Sequence, residues 1–500
     1  MRLIILAATA ALVLAAPAQT WVARYDGTGD EDATWGIASD GAGNVFVTGA
    51  SWSAGTSYDF ATVGYNSSGE TLWVRRFDGA ESGVDEARAV AAAPGRAVVT
   101  GGSADTSLFS DILTVAYDGA GDTLWTATFA GPAGRNDQGL AAALDGAGNV
   151  YVTGYATFDT SGWDYATIKY DAGGNRQWVG RYTTEFEDFA SDIALDAAGN
   201  VYVTGSTGNP YLLTWDYATV KYDSAGVEQW TARYDGPGIE DDEPAGLVVD
   251  DAGNVYVTGG SLGVGTNMDF ATVKYDAGGE TLWVRRLEGP AGGADEATGV
   301  ALAPSGNIVV TGFSEGDGTS TDFLTVSYSP AGTELWTARY DGPDHDFDEA
   351  RAVAVDAAGN AYVTGVSWGD RYDYLTVKYD SEGREQWVER YDGPDDGFDE
   401  PVGVALDGAA GVCVAGRSDG VGTGVDFATC RYLATGIEEK AEGGFPRLKD
   451  EGGRMNQTVV RGTLFWSATT PSLRNGGDIA LHSPDGRRVM NLAPGANDVS

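Results

Sequence analysis

Between residues 20 and 432 apolar residues fall in short runs, broken by clusters rich in Gly, Asp and Asn. No window shows the three-to-four spacing of an amphipathic helix, so the runs predict strands. They come in sets of four. A small, apolar strand a (ARAVAVD, 350–356) leads through a glycine turn to strand b (NAYVTG, 360–365). A variable loop then precedes strand c (DYLTVKY, from 373), and a second glycine turn precedes strand d (EQWVERY, 385–391). Gly and Asn suit such turns because they accept positive φ.

The set recurs eight times. Strand c begins at Asp59, Asp111, Asp164, Asp216, Asp269, Asp322, Asp373 and Asp426. The glycine closing the b motif VTG is Gly49, Gly101, Gly154, Gly205, Gly259, Gly312 and Gly365, with VAG ending at Gly416. The d strands carry Trp21, Trp73, Trp125, Trp178, Trp230, Trp283, Trp336 and Trp387. Four short strands at a fixed repeat predict an all-β fold, a β-propeller of four-stranded blades. Strand a, built of small residues, belongs at the crowded axis, and strand d, with its Trp, at the wide outer edge. The first Trp strand precedes the first a strand, and no Trp strand follows Tyr432. The N-terminal strand therefore completes the last blade, which closes the ring and removes open edges. Eight blades are expected; the alternative is seven plus a partial unit. DFATVGYNSSGETLWVRR (59–76) and DFATVKYDAGGETLWVRR (269–286) are near-copies four repeats apart, half a turn of an eight-blade ring.

The motif DxxGNVYVTG (251–260 and its equivalents), the D[FY]xTVKY strand and the GxxxW turn and strand resemble the bacterial β-propeller repeat family SBBP over about residues 20–432. That resemblance implies the propeller fold and transfers no catalytic residue. Further on, IALHSPDGRRV (479–489), its Asp485-Gly486 turn and NLAPGAND resemble part of the C-terminal sorting domain of type IX secretion substrates. Such a domain carries additional strands, so 454–500 reads as a partial, sorting-domain-like β segment. GIEEKAEGGFPRLKDEGG within 434–453 reads as a linker. Residues 19–433 are the propeller.

The first 18 residues have a positive start at Arg2, an apolar run at 3–15 and the small-x-small pattern Ala16-Pro17-Ala18. This reads as a secretory signal peptide cut after Ala18 and places the protein outside the cell or on its outer surface. No later segment is apolar for long enough to cross a bilayer. Asp and Glu outnumber Lys and Arg by 73 to 31, a formal charge of −42. Such a surface repels phosphate backbones, which excludes nucleic acid as a partner. A monomer is expected. Cys413 and Cys430 lie on consecutive strands, and one antiparallel register would set them opposite each other as a disulfide. The competing reading is two small apolar side chains within a blade.

The d-to-a and b-to-c connections share one rim, and acids crowd it. Repetition in every blade gives most of them a structural role, as acceptors of backbone N–H groups. No cofactor is required by the pattern. Calcium is the cation that oxygen-rich loops would hold, and DGPDHDFDEA (341–350) offers Asp344, Asp346 and Asp348 at alternate positions. Trp52, Trp163, Trp215, Trp368, Tyr155, Tyr211 and Tyr372, with Phe158, fall in b-to-c loops without repeating from blade to blade. Non-repeating aromatics on a rigid scaffold point to ligand contact, by stacking on a sugar or gripping a peptide. The competing reading is loops that bury their own rings. Only His345 and His482 occur, so a Ser-His-Asp triad or a His-based metal centre is excluded in practice. The expected function is a non-enzymatic surface scaffold that binds a glycan or a protein. A carbohydrate-active lyase or hydrolase using rim carboxylates is the first alternative, and a structural or adhesion component the second.

Overall fold

The computed structural model describes residues 19–434, except 28–30, 80–82, 105–108, 160–161, 210–213, 239–240, 265–266, 396 and 409, together with 479–482 and 488–492. The signal-like segment and the linker lie outside the described residues. Eight four-stranded antiparallel sheets form the propeller, each ordered a-b-c-d. Blade 4, for example, runs Asp188–Leu195, Val201–Asn209, Thr214–Tyr222 and Glu228–Tyr234. Blade 8 takes its first three strands from Asp399–Leu406, Gly411–Gly420 and Gly424–Leu433. Its outer strand is Gln19–Tyr25, with Val22 opposite Cys430 and Tyr25 opposite Phe427. The a strands of successive blades touch all the way round, the first against the eighth included. The closure read from the count of Trp strands is the one observed, and the near-copies at 59–76 and 269–286 are the c–d hairpins of blades 1 and 5. A second compact unit lies within 439–500. In it Ile479–His482 pairs antiparallel with Arg488–Leu492. Asp485-Gly486 falls outside the described residues. No helix among the described residues is long and apolar enough to cross a membrane.

The VTG glycine has a steric cause. In every blade the a–b register shifts by one residue, between Ala190 and Asp192 in blade 4 and at equivalent positions elsewhere. This is a β-bulge, which bends the strand and re-aims the side chains beside it. The glycine lies opposite the bulge. A Cβ on Gly205 would sit 2.0 Å from the carbonyl oxygen of Phe189, and on Gly101 1.8 Å from that of Glu86. The Thr before it turns to strand c: Thr204 Oγ1 lies 3.1 Å from Thr219 Oγ1, a pair repeated in seven blades.

The DxxGN turn is equally local. Asp196 accepts N–H bonds from Ala198 and Asn200, an amide bond from Asn200 Nδ2 and the hydroxyl of Tyr202. Those donors outweigh its partial burial and lower its pKa.

Of the two readings of the cysteines, apolar side chains within a blade is the one observed and the disulfide is absent; strand register explains why. Cys413 stands opposite Arg431, and Cys430 opposite Val414. That odd offset sends the two thiols to opposite faces of the blade. Cys430 packs with Val412, Val414 and Tyr432, and Cys413 with Val45, Val63 and Phe427 of the adjoining cluster. Both are free and buried.

One inner-strand residue breaks the repeat. Asp192 stands where the other blades carry Gly36, Ala89, Ala141, Gly246, Gly299, Ala352 and Gly403. Its carboxylate accepts from Leu247 N of blade 5 at 2.9 Å and from its own neighbour Ile193 N at 2.8 Å. Desolvation between the blades nevertheless raises its pKa from 3.8 to about 6.

Two outcomes are expected. Gly205→Ala forces a Cβ into the Phe189 carbonyl and costs about 3 kcal/mol or more, read as a lower urea midpoint. For Asp192, a raised folded-state pKa means stability that is full below the unfolded value and lost as pH rises through about 6. The melting temperature should therefore rise from pH 7.5 to pH 4.5. In Asp192→Ala that rise should shrink by the equivalent of about 1–2 kcal/mol. An unchanged pH profile in the variant would contradict the assignment.

Candidate functional site

The d-to-a and b-to-c connections do share one rim, and its acids divide by strand position into distinct populations. The Asp at the head of every a strand is buried: Asp32, Asp85, Asp137, Asp188, Asp242, Asp295, Asp348 and Asp399 are each at most 1 % exposed. Each folds the preceding loop onto itself. Asp242 Oδ2 accepts Gly236 N at 2.6 Å, Asp348 accepts Gly342 N at 2.6 Å and Asp399 accepts Gly393 N at 2.6 Å. Burial raises their pKa, to about 6 for Asp137 and Asp188.

The Asp that opens strand c meets an Arg from strand d of the same blade. Asp59–Arg76, Asp164–Arg181, Asp216–Arg233, Asp269–Arg286, Asp322–Arg339, Asp373–Arg390 and Asp426–Arg24 pair at 2.7–3.0 Å. The Arg always follows the Trp by three residues, a periodic signal that the sequence reading passed over. In blade 2 that position is Thr128. The same guanidinium reaches the preceding blade: Arg286 donates to Tyr234 OH at 3.1 Å and Arg24 to Tyr391 OH at 2.9 Å. These acids are structural, as expected from their repetition.

The residue after each buried Asp faces outward beside the bulge. It is Ala33, Glu86, Gln138, Phe189, Glu243, Glu296, Glu349 and Glu400 in blades 1 to 8. Five of the eight are glutamates, and they feel one another across blades. Burial, then the neighbouring Glu243 and Glu349, raise the pKa of Glu296. Glu86 pairs with Arg88 at 2.5 Å, Glu349 with Arg351 at 2.9 Å and Glu400 with Arg417 at 2.6 Å. Among the described residues Glu243 and Glu296 have no ion-pair partner.

The acidic arc ends at a groove of about 230 Å³ where blades 8, 1 and 2 meet, lined by Glu31, Trp35, Tyr58, Glu86, Arg417 and Val425. Tyr58 OH donates to Glu31 at 3.2 Å, and the Arg88 guanidinium stacks over Trp35 at 4.3 Å. Trp35 occupies the bulge position itself, which is why it had no place among the loop aromatics. Trp52 stands beside the groove, opposite Tyr58 in register, with its backbone N–H on Glu31 O.

The predicted ligand aromatics separate into groups. Tyr155, Trp163 and Trp215 come together around Phe189, with ring centroids 5.2–5.6 Å apart. All four are half-buried, and Trp163 Nε1 donates to Asn136 O at 2.8 Å. This aromatic sector fills blades 3 and 4, where the glutamate position reads Gln and Phe. Trp368, Tyr372 and Phe398 form a second group in blades 7 and 8. Phe158 lies tilted against Phe129, with ring centroids 6.0 Å apart. Tyr211 falls outside the described residues.

The predicted calcium loop is regrouped. Asp348 is buried, Asp344 is exposed, and neither Asp344 nor Asp346 joins it. One carboxylate oxygen of Asp348 instead lies within 4.8 Å of one each from Asp322 and Asp341. The alternate spacing of a strand-like segment misleads here, because the loop folds back and its end docks on blade 6.

Comparison with known proteins agrees with the fold. The family model described as a beta-propeller repeat, SBBP, matches residues 177–211 and 229–264. A regulatory protein, FlaEY, of Caulobacter vibrioides is 22 % identical over 497 residues, 88 % of this chain and 48 % of that protein. An uncharacterized WD repeat-containing protein of Acanthamoeba polyphaga mimivirus is 24 % identical over 271 residues, 45 % of this chain and 18 % of that one. The chain thus spans less than half the length of either relative. Among solved structures, Sqt1 from Chaetomium thermophilum aligns with 84 % of this chain and 99 % of its own at 12 % identity and a TM-score of 0.47. The periplasmic gluconolactonase PpgL of Pseudomonas aeruginosa aligns with 68 % and 96 % at 16 % identity and a TM-score of 0.42. The chain is an eight-bladed β-propeller whose residues 177–211 and 229–264 match the SBBP beta-propeller repeat.

Proposed function

We propose that this protein is an exported, non-catalytic scaffold whose acidic rim holds a protein or peptide segment rich in Lys and Arg. The observation that carries the reading is the arc of glutamates at one bulge-set position in blades 5 to 8, with Glu86 beyond Ala33, in which Glu243 and Glu296 form no ion pair among the described residues and Arg351 only partly offsets the charge on Glu296. A cation seated there neutralises charges that now repel one another. The groove supports the same reading. At about 230 Å³ it lies below the ~300 Å³ at which small-molecule pockets begin. To one Lys or Arg side chain it offers the Tyr58 ring and the exposed Glu31 carboxylate, beside Trp35 and Glu86, which Arg88 already engages, and Arg417.

A lyase or hydrolase needs two carboxyls free to face a substrate. In the groove Glu86 is held by Arg88, Asp32 accepts Gly27 N, and Glu31 accepts from Tyr58. A glycan is the second reading, favoured by the half-buried sector at Tyr155, Trp163 and Trp215, yet those rings turn much of their surface to Phe189 and to each other.

Charge reversal tests the reading. A labelled Lys/Arg peptide should bind the protein, and Glu243→Lys with Glu296→Lys should weaken it about tenfold or more. Glu280→Lys with Glu334→Lys makes the same change in net charge at exposed positions beside c–d turns and should weaken it far less. Equal losses in the two double variants would reduce the binding to bulk charge and overturn the rim as the site.

A further inference from the structure

Five blade junctions bring three aspartates together. The groups are Asp26/Asp32/Asp426, Asp59/Asp78/Asp85, Asp216/Asp235/Asp242, Asp322/Asp341/Asp348 and Asp373/Asp392/Asp399, each with one carboxylate oxygen per residue within 4.8 Å of the others. Each draws on the start of strand c, the start of the next strand a, and a middle acid. The middle acid follows the aromatic residue that ends strand d: Tyr25, Phe77, Tyr234, Tyr340 or Tyr391. At the other three junctions Ala130, Thr183 and Glu288 stand in its place.

The junction of blades 6 and 7 differs from the other four. Its middle acid, Asp341, is half-buried, whereas Asp26, Asp78, Asp235 and Asp392 are exposed. Asp322 and Asp348 are each 1 % exposed. All three are anchored through Oδ2: Asp322 by Arg339 at 2.7 Å, Asp341 by His345 Nδ1 at 2.7 Å and Asp348 by Gly342 N at 2.6 Å. In Asp322 and Asp341 Oδ1 is buried without a hydrogen-bond partner, and in Asp348 it is buried with only the Ser367 hydroxyl beside the carboxylate. A buried carboxylate oxygen without a partner is costly, and three carboxylates in one cluster repel beyond what Arg339 alone offsets. Ordered carboxylate oxygens held by their other ends are the donor set of a hard cation.

We propose that Asp322, Asp341 and Asp348 bind one calcium ion, which ties the 341–348 loop to blade 6 and so latches blade 6 to blade 7. Calcium suits the site better than magnesium, because its ligands come from three separate segments with no octahedral frame. Zinc is disfavoured, since His345, the one imidazole nearby, is already turned to Asp341 and exposed. The inference is independent of the peptide reading above.

Terbium luminescence with calcium competition, in about 150 mM KCl to screen the diffuse acidic surface, tests it on the full protein. The wild type should bind calcium, and its melting temperature should fall by several degrees in chelator. Asp341→Asn keeps the side-chain shape, and it should lose one equivalent of calcium and most of that shift. Asp78→Asn, the same change at an exposed middle acid, should keep both. No calcium-dependent shift in the wild type, or equal losses in the two variants, would overturn the site.

Discussion

Every blade is bolted to the next by one indole, and the rest of the ring follows from that contact. The strand-d Trp lies on the Tyr that ends strand c of the following blade, at 5.5–6.3 Å between centroids, through all eight junctions. In six of them its Nε1 also donates to a backbone carbonyl in the next c–d turn, as Trp230 does to Ala277 O at 3.0 Å. The indole covers the turn so closely that the turn must be glycine. A Cβ on Gly279 would stand 2.7 Å from Trp230, and its φ is +88° besides. Trp, Tyr and Gly are therefore one device, which holds the repeat length nearly constant. Trp21 must serve the first blade from the last one, so the N-terminal strand has only one place to go.

A second device runs along the rim. The buried Asp of strand a accepts loop N–H groups, the Asp of strand c pairs with the Arg of strand d in seven blades, and Arg286 and Arg24 also reach a Tyr hydroxyl of the preceding blade. Ion pairs of this kind add little net stability, because desolvation offsets much of the attraction, but breaking one leaves a buried charge without its counterion. They specify how the loops sit. This separates the structural acids from the glutamates one residue further on, which the bulge turns outward. The formal charge of −42 therefore overstates how much of the rim is offered to a partner.

The fold was legible because its causes repeat. Eight copies of Trp and strand-c Asp and seven of VTG each report a contact that recurs in at least seven blades. The site was harder to read for the opposite reason. Phe189 and the five glutamates share a backbone position but not a residue type, and Trp35 sits on the bulge beside it, so no motif joins them until the bulge is seen. The choice between the two cysteine readings turned on parity: pairing depends on a register offset that spacing alone leaves open. The acids at 344, 346 and 348 failed on path, because alternate spacing has meaning only if the segment is extended, and His345 at φ 55° turns it.

The same contrast bears on how the ring works. Strict symmetry at the junctions yields a rigid frame with eight equivalent positions at its mouth. Blades 3 and 4 place Gln138 and Phe189 there beside Tyr155, Trp163 and Trp215, while blades 5 to 8 place glutamates. The halves related by four repeats, near-copies in the c–d hairpins of blades 1 and 5, thus differ in chemistry at this one position in three of the four pairs, blades 2 and 6 both carrying Glu. A partner that used the whole mouth would meet apolar rings on one side and carboxylates on the other, and could dock in only one orientation. Symmetry fixes where the side chains point, and the departure from symmetry sets which chemistry each position carries.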